Sequence, residues 1–185
     1  MTLHLDGISF VAVPKTATIA IERAFAPFVR DFVPHRHENV SSVKSVSQNP
    51  CLCLVRHPLE WMESYYKHLR FSPYFAKVDS VWGLRSKSFE DFVQAFMRGR
   101  RMWPEPHRFQ HEYVCAEGLL VEHVYRYDQL DVAIDHLSTH CCERPAIGMH
   151  NVSPEVALEL SSGTRAQFEI YMEKDYDLFE NTKRP

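Results

Sequence analysis

Two short segments carry side chains that could bind an anion. The first is VPKTATIA, residues 13–20, in which Lys15 stands between an apolar run and a helical pattern. Where a buried strand leads into a helix, unpaired backbone amides and the helix dipole point at the same spot, and a lysine adds a full positive charge there. Small side chains at Thr16, Ala17 and Thr18 let an anion approach the backbone, and the threonine hydroxyls can donate hydrogen bonds. This segment therefore predicts a phosphate or sulfate site.

The second segment is LVRHPLEWMESYY, in which Arg56 ends an apolar run and Ser64 follows on a helical pattern. The apolar stripe of that helix consists of Leu59, Met62 and Tyr66, so Ser64 lies off the stripe and can face a ligand. The planar guanidinium of Arg56 suits a phosphate group. Taken alone, each segment has a simpler interpretation: a solvated lysine in a loop, or an arginine in a structural ion pair.

Strands and helices must bring these two segments together. The apolar runs ISFVAV, CLCLV and LLVEHVYRY indicate strands, and helical patterns follow the first two, which is typical of parallel strands joined by crossover helices. Residues 88–98 begin with the N-cap Ser88 and stop at Gly99, which predicts a core helix. The C-terminal segment predicts one long helix docked on the sheet. Its apolar side consists of Phe168, Tyr171, Met172, Leu178 and Phe179.

This alternation of strands and helices predicts the α/β class, as a three-layer sandwich with a central, mostly parallel sheet. In such a sheet the carboxyl ends of parallel strands share one edge. We therefore expect Lys15 and Arg56 to lie at the same edge.

Length, charge and cysteine content limit the class of protein. The 185 residues suffice for one substantial core and not for two ordinary domains, so we expect a single domain over residues 1–185. The formal net charge of -3 provides no global positive field for nucleic acid or acidic membranes, and neither is an expected partner.

The N-terminus lacks a basic leader, and no apolar run approaches the roughly 18 residues of a membrane span. The five cysteines are an odd number, and Cys51/Cys53 and Cys141/Cys142 are too close in sequence to pair comfortably, so we expect free thiols and a cytoplasmic protein.

Together the two segments resemble the sulfotransferases that use 3′-phosphoadenosine-5′-phosphosulfate (PAPS). VPKTAT is similar to their 5′-phosphosulfate loop, and VRHPLEWMESYY to their 3′-phosphate motif, an Arg followed by Pro and then Ser. YRYDQL and IYMEKDYDLF resemble a later strand and the closing helix of the family, so the resemblance runs from about residue 8 to 180. The match is nearest to the branch that includes carbohydrate O-sulfotransferases and small bacterial or viral relatives. It implies a P-loop-like sulfotransferase fold and transfer of a sulfuryl group from PAPS to a hydroxyl of a small-molecule or carbohydrate acceptor, with 3′,5′-adenosine bisphosphate (PAP) as the product.

The resemblance also implies a role for each site residue. Lys15 contacts the region of the bridging sulfuryl oxygen and takes part in catalysis, whereas Arg56 and Ser64 hold the 3′-phosphate. The 5′ side is cradled by Thr16, Ala17, Thr18, Ile19 and Ala20. Tyr127 is a candidate contact of the adenine ring, with core packing as the alternative.

Three positions depart from the family pattern. Ile19 stands where many relatives have a second hydroxyl residue, Ala17 replaces a common glycine, and Trp61 occupies a position that is often basic. The change at Ile19 removes a side-chain donor and keeps the backbone amide, so we expect weaker donor binding.

A base is needed to deprotonate the acceptor hydroxyl, and histidine is the usual choice near neutral pH. VPHRHENVSSV lies between the two anion segments, where relatives carry a base histidine followed by small hydroxyl residues. His37, followed by Asn39, Ser41 and Ser42, fits that register best, and His35 is the second candidate.

Two later segments leave alternatives open. MHNVSPE resembles the family's late loop over the nucleotide, so Asn151 and Ser153 are candidate 3′-side contacts, although Ser153 is equally suited to cap a helix. The basic run around Trp103 could steer an anionic acceptor or form a solvated loop. Asp175 on an apolar helical face is expected to end in an internal ion pair or cap.

No metal site is expected. The cysteines and histidines include zinc-ligand types, but Cys51 and Cys53 lie in a strand pattern and no CxxC pair occurs. The moving sulfuryl group carries a single negative charge, so lysine, amide and arginine donors can stabilise it without Mg²⁺.

Two other function classes remain as alternatives. One is a non-catalytic protein that binds 3′-phosphoadenosine nucleotides, which the isoleucine at position 19 and the short chain favour. The other, a P-loop phosphotransferase, is weaker because G-x-x-x-x-G-K-[ST] is absent.

Overall fold

Five strands form the central sheet in the part of the chain that the computed structural model describes, residues 2–32, 37–71, 87–99, 107–148 and 155–182. In sheet order they are β3 (Asp31–Phe32), β1 (Leu3–Leu5), β2 (Ile8–Val11), β4 (Cys51–Val55) and β7 (His123–Arg126). β1 is antiparallel to both of its neighbours, whereas β2, β4 and β7 are mutually parallel. Four of the five strands therefore point the same way, and the predicted mostly parallel sheet is confirmed.

The predicted third strand is only partly correct. Of LLVEHVYRY, His123–Arg126 joins the sheet, but Leu119–Leu120 (β6) pairs with Cys115–Ala116 (β5) in a separate two-stranded hairpin. Between the two pieces, the Glu122 carboxylate accepts a hydrogen bond from the Cys51 amide at 2.7 Å. The strand that the local pattern predicted is therefore two separate pieces, and Glu122 between them contacts the start of β4.

Eight α-helices lie within the described residues. They are α1 (Thr18–Phe25), α2 (Val40–Val46), α3 (Pro58–Phe71), α4 (Phe89–Met97), α5 (His111–Val114), α6 (Leu130–Ser138), α7 (Ser162–Tyr171) and α8 (Glu173–Asn181). The predicted helices after RHP and from residue 88 are confirmed, and Ser88 and Asp91 form a reciprocal capping box at the start of α4. None of these helices is long and apolar enough to cross a membrane.

Alternating side chains of the strands build a core on each face of the sheet. Phe10 and Leu52 belong to one core, together with residues of α1 and α6. Val11 and Cys53 belong to the opposite core, together with residues of α2 and α5. Helices thus cover both faces, as the three-layer prediction requires. A third core joins α3, α4 and α7 around the fully buried Phe92.

The C-terminal segment was predicted as one long helix, and this prediction is wrong. The chain turns at Met172, which has φ -101° and ψ 16°, so α7 and α8 are separate helices. Met172 and Phe168 pack into the α3/α4/α7 core, whereas Leu178 and Phe179 pack against the sheet core that contains α2 and α5. The turn lets one segment contribute to two different cores.

The strand order creates a switch point between β2 and β4. From β2 the chain passes through α1 to β3 on one side of the sheet, then returns through α2 to β4 on the other side. In open α/β sheets, the crevice outside the carboxyl ends of such neighbouring strands is where ligands bind. Both predicted anion segments follow these two strands.

Candidate functional site

The turn after β2 has an unusual backbone. Lys15 has φ 66° and Ala17 has φ 63°, both in the left-handed region that non-glycine residues seldom adopt. Successive amides in alternating conformations of this kind form concave anion sites. The amides of Thr16, Ala17, Thr18 and Ile19 donate to no acceptor among the described residues, whereas the Ala20 amide bonds to the Ala17 carbonyl at 2.9 Å. Four consecutive N–H groups are therefore available at the start of α1.

The threonine hydroxyls have a different role from the one expected. Thr16 Oγ1 and Thr18 Oγ1 each donate to the Val13 carbonyl at 2.7 Å, and both residues are buried. Since each hydroxyl has one proton, neither donates to an anion in this conformation. These side chains hold the shape of the turn, and the donors that remain in its backbone are the four amides.

Ala17 is held in a conformation that suits glycine better. We predict that Ala17→Gly raises the free energy of unfolding by about 0.5–1 kcal/mol, because it relieves the left-handed strain while adding some chain entropy to the unfolded state. Urea unfolding followed by circular dichroism measures the change. Ala24→Gly inside α1 is the matched control and is expected to destabilise by about 0.5–1 kcal/mol. A loss of stability in Ala17→Gly would contradict the strain at this position.

Trp61 ties the turn to α3. The fully buried indole donates from Nε1 to the Pro14 carbonyl at 2.7 Å and packs edge-on against the ring of Tyr65 at 4.8 Å. The hydrogen-bond partner of Trp61 lies 47 residues earlier in the chain, so the local sequence pattern could not indicate this contact.

We predict that Trp61→Phe lowers the free energy of unfolding by about 2 kcal/mol, because the buried Pro14 carbonyl loses its donor and a cavity opens beside it. Chemical denaturation measures the loss, and unchanged stability would show that this bond does not hold the turn.

Lys15 carries the positive charge of the turn at residues 13–18. His68 lies two turns after Trp61 on the same side of α3, and burial, with a smaller effect of the Lys15 charge, lowers the pKa of His68 to about 4. The imidazole is therefore neutral at pH 7, so of these two side chains the half-buried Lys15 is the cation.

Arg56 is oriented at both its backbone and its side chain. Its amide donates to Gln110 Oε1 and its carbonyl accepts from Gln110 Nε2, both at 2.8 Å. The guanidinium carbon lies 4.6 Å from the centre of the Tyr127 ring, and Nε donates to Glu60 Oε2 at 3.3 Å. The structural ion pair considered for Arg56 is thus present, but its terminal nitrogens have no acceptor among the described residues. Tyr127 serves as a platform for Arg56. Ser64 is half-buried, and its hydroxyl has no hydrogen bond to a described residue.

Asp175 supports this arrangement from the C-terminal helix. Its buried carboxylate accepts from the Gln110 amide at 2.8 Å, from the His111 amide at 2.9 Å and from His111 Nδ1 at 2.6 Å. The prediction that Asp175 ends in a cap or internal ion pair is confirmed. The sequence did not indicate Gln110, whose contact with Arg56 spans 54 residues.

His37 lies at the carboxyl end of β2. Its Nδ1 is 2.6 Å from the Ala12 carbonyl oxygen, and its backbone has φ 61°. A carbonyl only accepts, so Nδ1 carries the proton in this bond, and a neutral His37 has its lone pair on Nε2. That tautomer suits a general base. Asn39 caps α2 by accepting from the Ser42 amide at 3.0 Å.

Three predicted residues, His35, Asn151 and Ser153, lie outside the described residues, as do Arg100, Arg101 and Trp103 of the basic run. In the described part of that run, Arg108 is used structurally: its guanidinium donates to the Phe96 carbonyl and lies 4.8 Å from the centre of the Phe96 ring.

The cysteines behave as small apolar side chains. Cys51 and Cys53 are buried in β4, and burial raises the pKa of both thiols, that of Cys51 to about 11. Within the described ranges, no three His, Cys, Asp or Glu side chains are grouped to hold a metal ion.

The structure brings Lys15, Arg56, Tyr127 and His37 to the carboxyl ends of three neighbouring strands. The register pairs Val11 with Cys53 and Val55 with Arg126, so the loops that follow are adjacent. Comparisons with protein-family models, curated proteins and solved structures found no match for this chain.

Proposed function

We propose that this protein is a PAPS-dependent sulfotransferase that moves a sulfuryl group to a hydroxyl of a small-molecule or carbohydrate acceptor. The main support is the pair of cationic groups at adjacent parallel strand ends, Lys15 beside a turn with four available amides and Arg56 on an aromatic platform. PAPS has two anionic ends, a 5′-phosphosulfate and a 3′-phosphate, and this donor set has one cation for each. A sulfotransferase fold of the P-loop-like type is part of the same proposal.

The residues divide between the two ends of the donor. Lys15 and the amides of residues 16–19 bind the 5′ side, where helix dipole and charge act together. Arg56 binds the 3′-phosphate through its terminal nitrogens, with Ser64 as an additional donor. The absence of a hydroxyl at Ile19 leaves its amide in place.

The chain's own groups can also assist the transfer. PAPS supplies the sulfuryl group, and PAP is the product that leaves. His37 Nε2 accepts the proton of the acceptor hydroxyl while the oxygen of that hydroxyl forms the new bond to sulfur. Lys15 stabilises the negative charge that develops on the phosphate oxygen as the old bond breaks. We propose that this chemistry requires no Mg²⁺.

A specific observation favours the second candidate, a non-catalytic protein that binds 3′-phosphoadenosine nucleotides. Both threonine hydroxyls of the turn donate to Val13, and Ile19 has none, so the described turn has no side-chain hydroxyl for the reacting group. Such a turn could bind the product-like bisphosphate without supporting transfer.

Thermal shift with PAP, compared with ATP and Mg²⁺, tests the binding step because a ligand of the native state raises its apparent stability. Stabilisation by PAP alone supports either candidate, and stabilisation by ATP with Mg²⁺ alone would favour a phosphotransferase. Labelled PAPS with mixed acceptors, with and without EDTA, then separates enzyme from binding protein. Absence of any PAP effect would overturn the proposal, and loss of transfer in EDTA would refute its metal-free form.

A further inference from the structure

The guanidinium of Arg56 forms an ion pair with the carboxylate of Glu60. Glu60 lies in the first turn of α3, four residues after Arg56, and its carboxylate Oε2 accepts from Arg56 Nε at 3.3 Å. Over half of the Glu60 side chain is exposed, whereas Arg56 is only 24% exposed and rests on Tyr127. The cation is therefore fixed in place, and the carboxylate is the more accessible partner.

We propose that Glu60 sets the affinity of the Arg56 anion site by holding a negative charge beside the bound phosphate. This inference rests on the proposed use of Arg56 as an anion ligand. Because Nε of Arg56 donates to Glu60, an incoming phosphate binds the two terminal nitrogens of the same guanidinium. The two negative groups then contact the same guanidinium, close enough for their repulsion to matter at the surface of a protein.

The repulsion has a consequence for turnover. A bisphosphate product must leave before another donor binds, and product release limits many enzymes. Glu60 makes binding weaker than the cations alone would allow and so favours release.

The chain offers a matched control in Glu63. It lies on the same helix, is half-buried and forms no ion pair with a described residue. Glu60→Gln and Glu63→Gln each remove one negative charge from α3, so a general change in net charge affects both equally. Glutamine at position 60 can still accept from Arg56 Nε, so the position of the guanidinium is retained.

Isothermal titration of the full chain with PAP and with pyrophosphate measures the effect. Glu60→Gln is expected to bind either ligand about fivefold more tightly, and Glu63→Gln less than about twofold. In an Arg56→Met background the phosphate is no longer held beside Glu60, so Glu60→Gln is expected to change the affinity less than about twofold. The melting temperature without ligand should be nearly unchanged, because an exposed ion pair contributes little.

The outcomes separate this inference from the proposed function. Equal effects of the two substitutions, or weaker binding in Glu60→Gln, overturn the inference even if PAPS is turned over. If PAP does not bind but pyrophosphate binds through Arg56 with the Glu60 effect, the inference stands and the sulfotransferase proposal fails. If neither ligand binds, both fail.

Discussion

His37→Asn is expected to lower the rate of sulfuryl transfer by about 10²–10⁴-fold, the usual contribution of a general base, while the Kd for PAP stays the same. Asparagine is the informative replacement because it tolerates the left-handed backbone at φ 61° and its amide can still donate to the Ala12 carbonyl. It has no basic nitrogen. Single-turnover kinetics with labelled PAPS and titration with PAP measure the two quantities separately.

His35→Asn is the competing variant, because His35 is the second candidate for the base. Full activity in His37→Asn with loss in His35→Asn would assign the base to His35. Parallel loss of PAP affinity and of transfer in His37→Asn would mean that His37 supports the site and is not its base.

Lys15→Met is expected to weaken PAP binding by about 10–100-fold, the typical value of a hydrogen bond to a charged group. The transfer rate should fall by about a further 10²–10³-fold, because a donor aimed at developing charge is lost. Methionine keeps most of the side-chain length. Lysine and methionine have the same backbone strain at φ 66°, so the substitution removes the charge without changing the strain of the turn. Titration and steady-state kinetics measure the two losses.

Lys67→Met provides the charge control for this experiment. Lys67 lies on α3 and makes no ion pair with a described residue. Lys67→Met removes the same single charge as Lys15→Met, so it should change PAP binding less than about twofold. A structural readout is also available, since the Lys15 charge lowers the pKa of His68. That pKa should rise from about 4 in Lys15→Met, although burial still holds it below the ordinary value. Wild-type affinity and rate in Lys15→Met would contradict the proposed role of this lysine.

Local sequence patterns were sufficient for the strands and helices that carry the anion residues. The apolar runs before Lys15 and Arg56 became β2 and β4, and the helices after RHP and from residue 88 formed where their stripes and caps indicated. Alternating side chains of a strand face opposite cores, and helical stripes repeat every three to four residues, so these elements are encoded by neighbours in the chain.

Only the tertiary structure decided which groups at the site remain available. The hydroxyls of Thr16 and Thr18 donate to a backbone carbonyl, and Trp61 donates to that of Pro14. Gln110 fixes Arg56 from 54 residues away, and Asp175 in turn holds Gln110 from 65 residues away. The break at Met172 likewise follows from packing into two cores. A periodic pattern specifies which face of a helix or strand is buried. Which segment packs on that face, and which polar groups form hydrogen bonds there, depends on how distant segments of the chain meet.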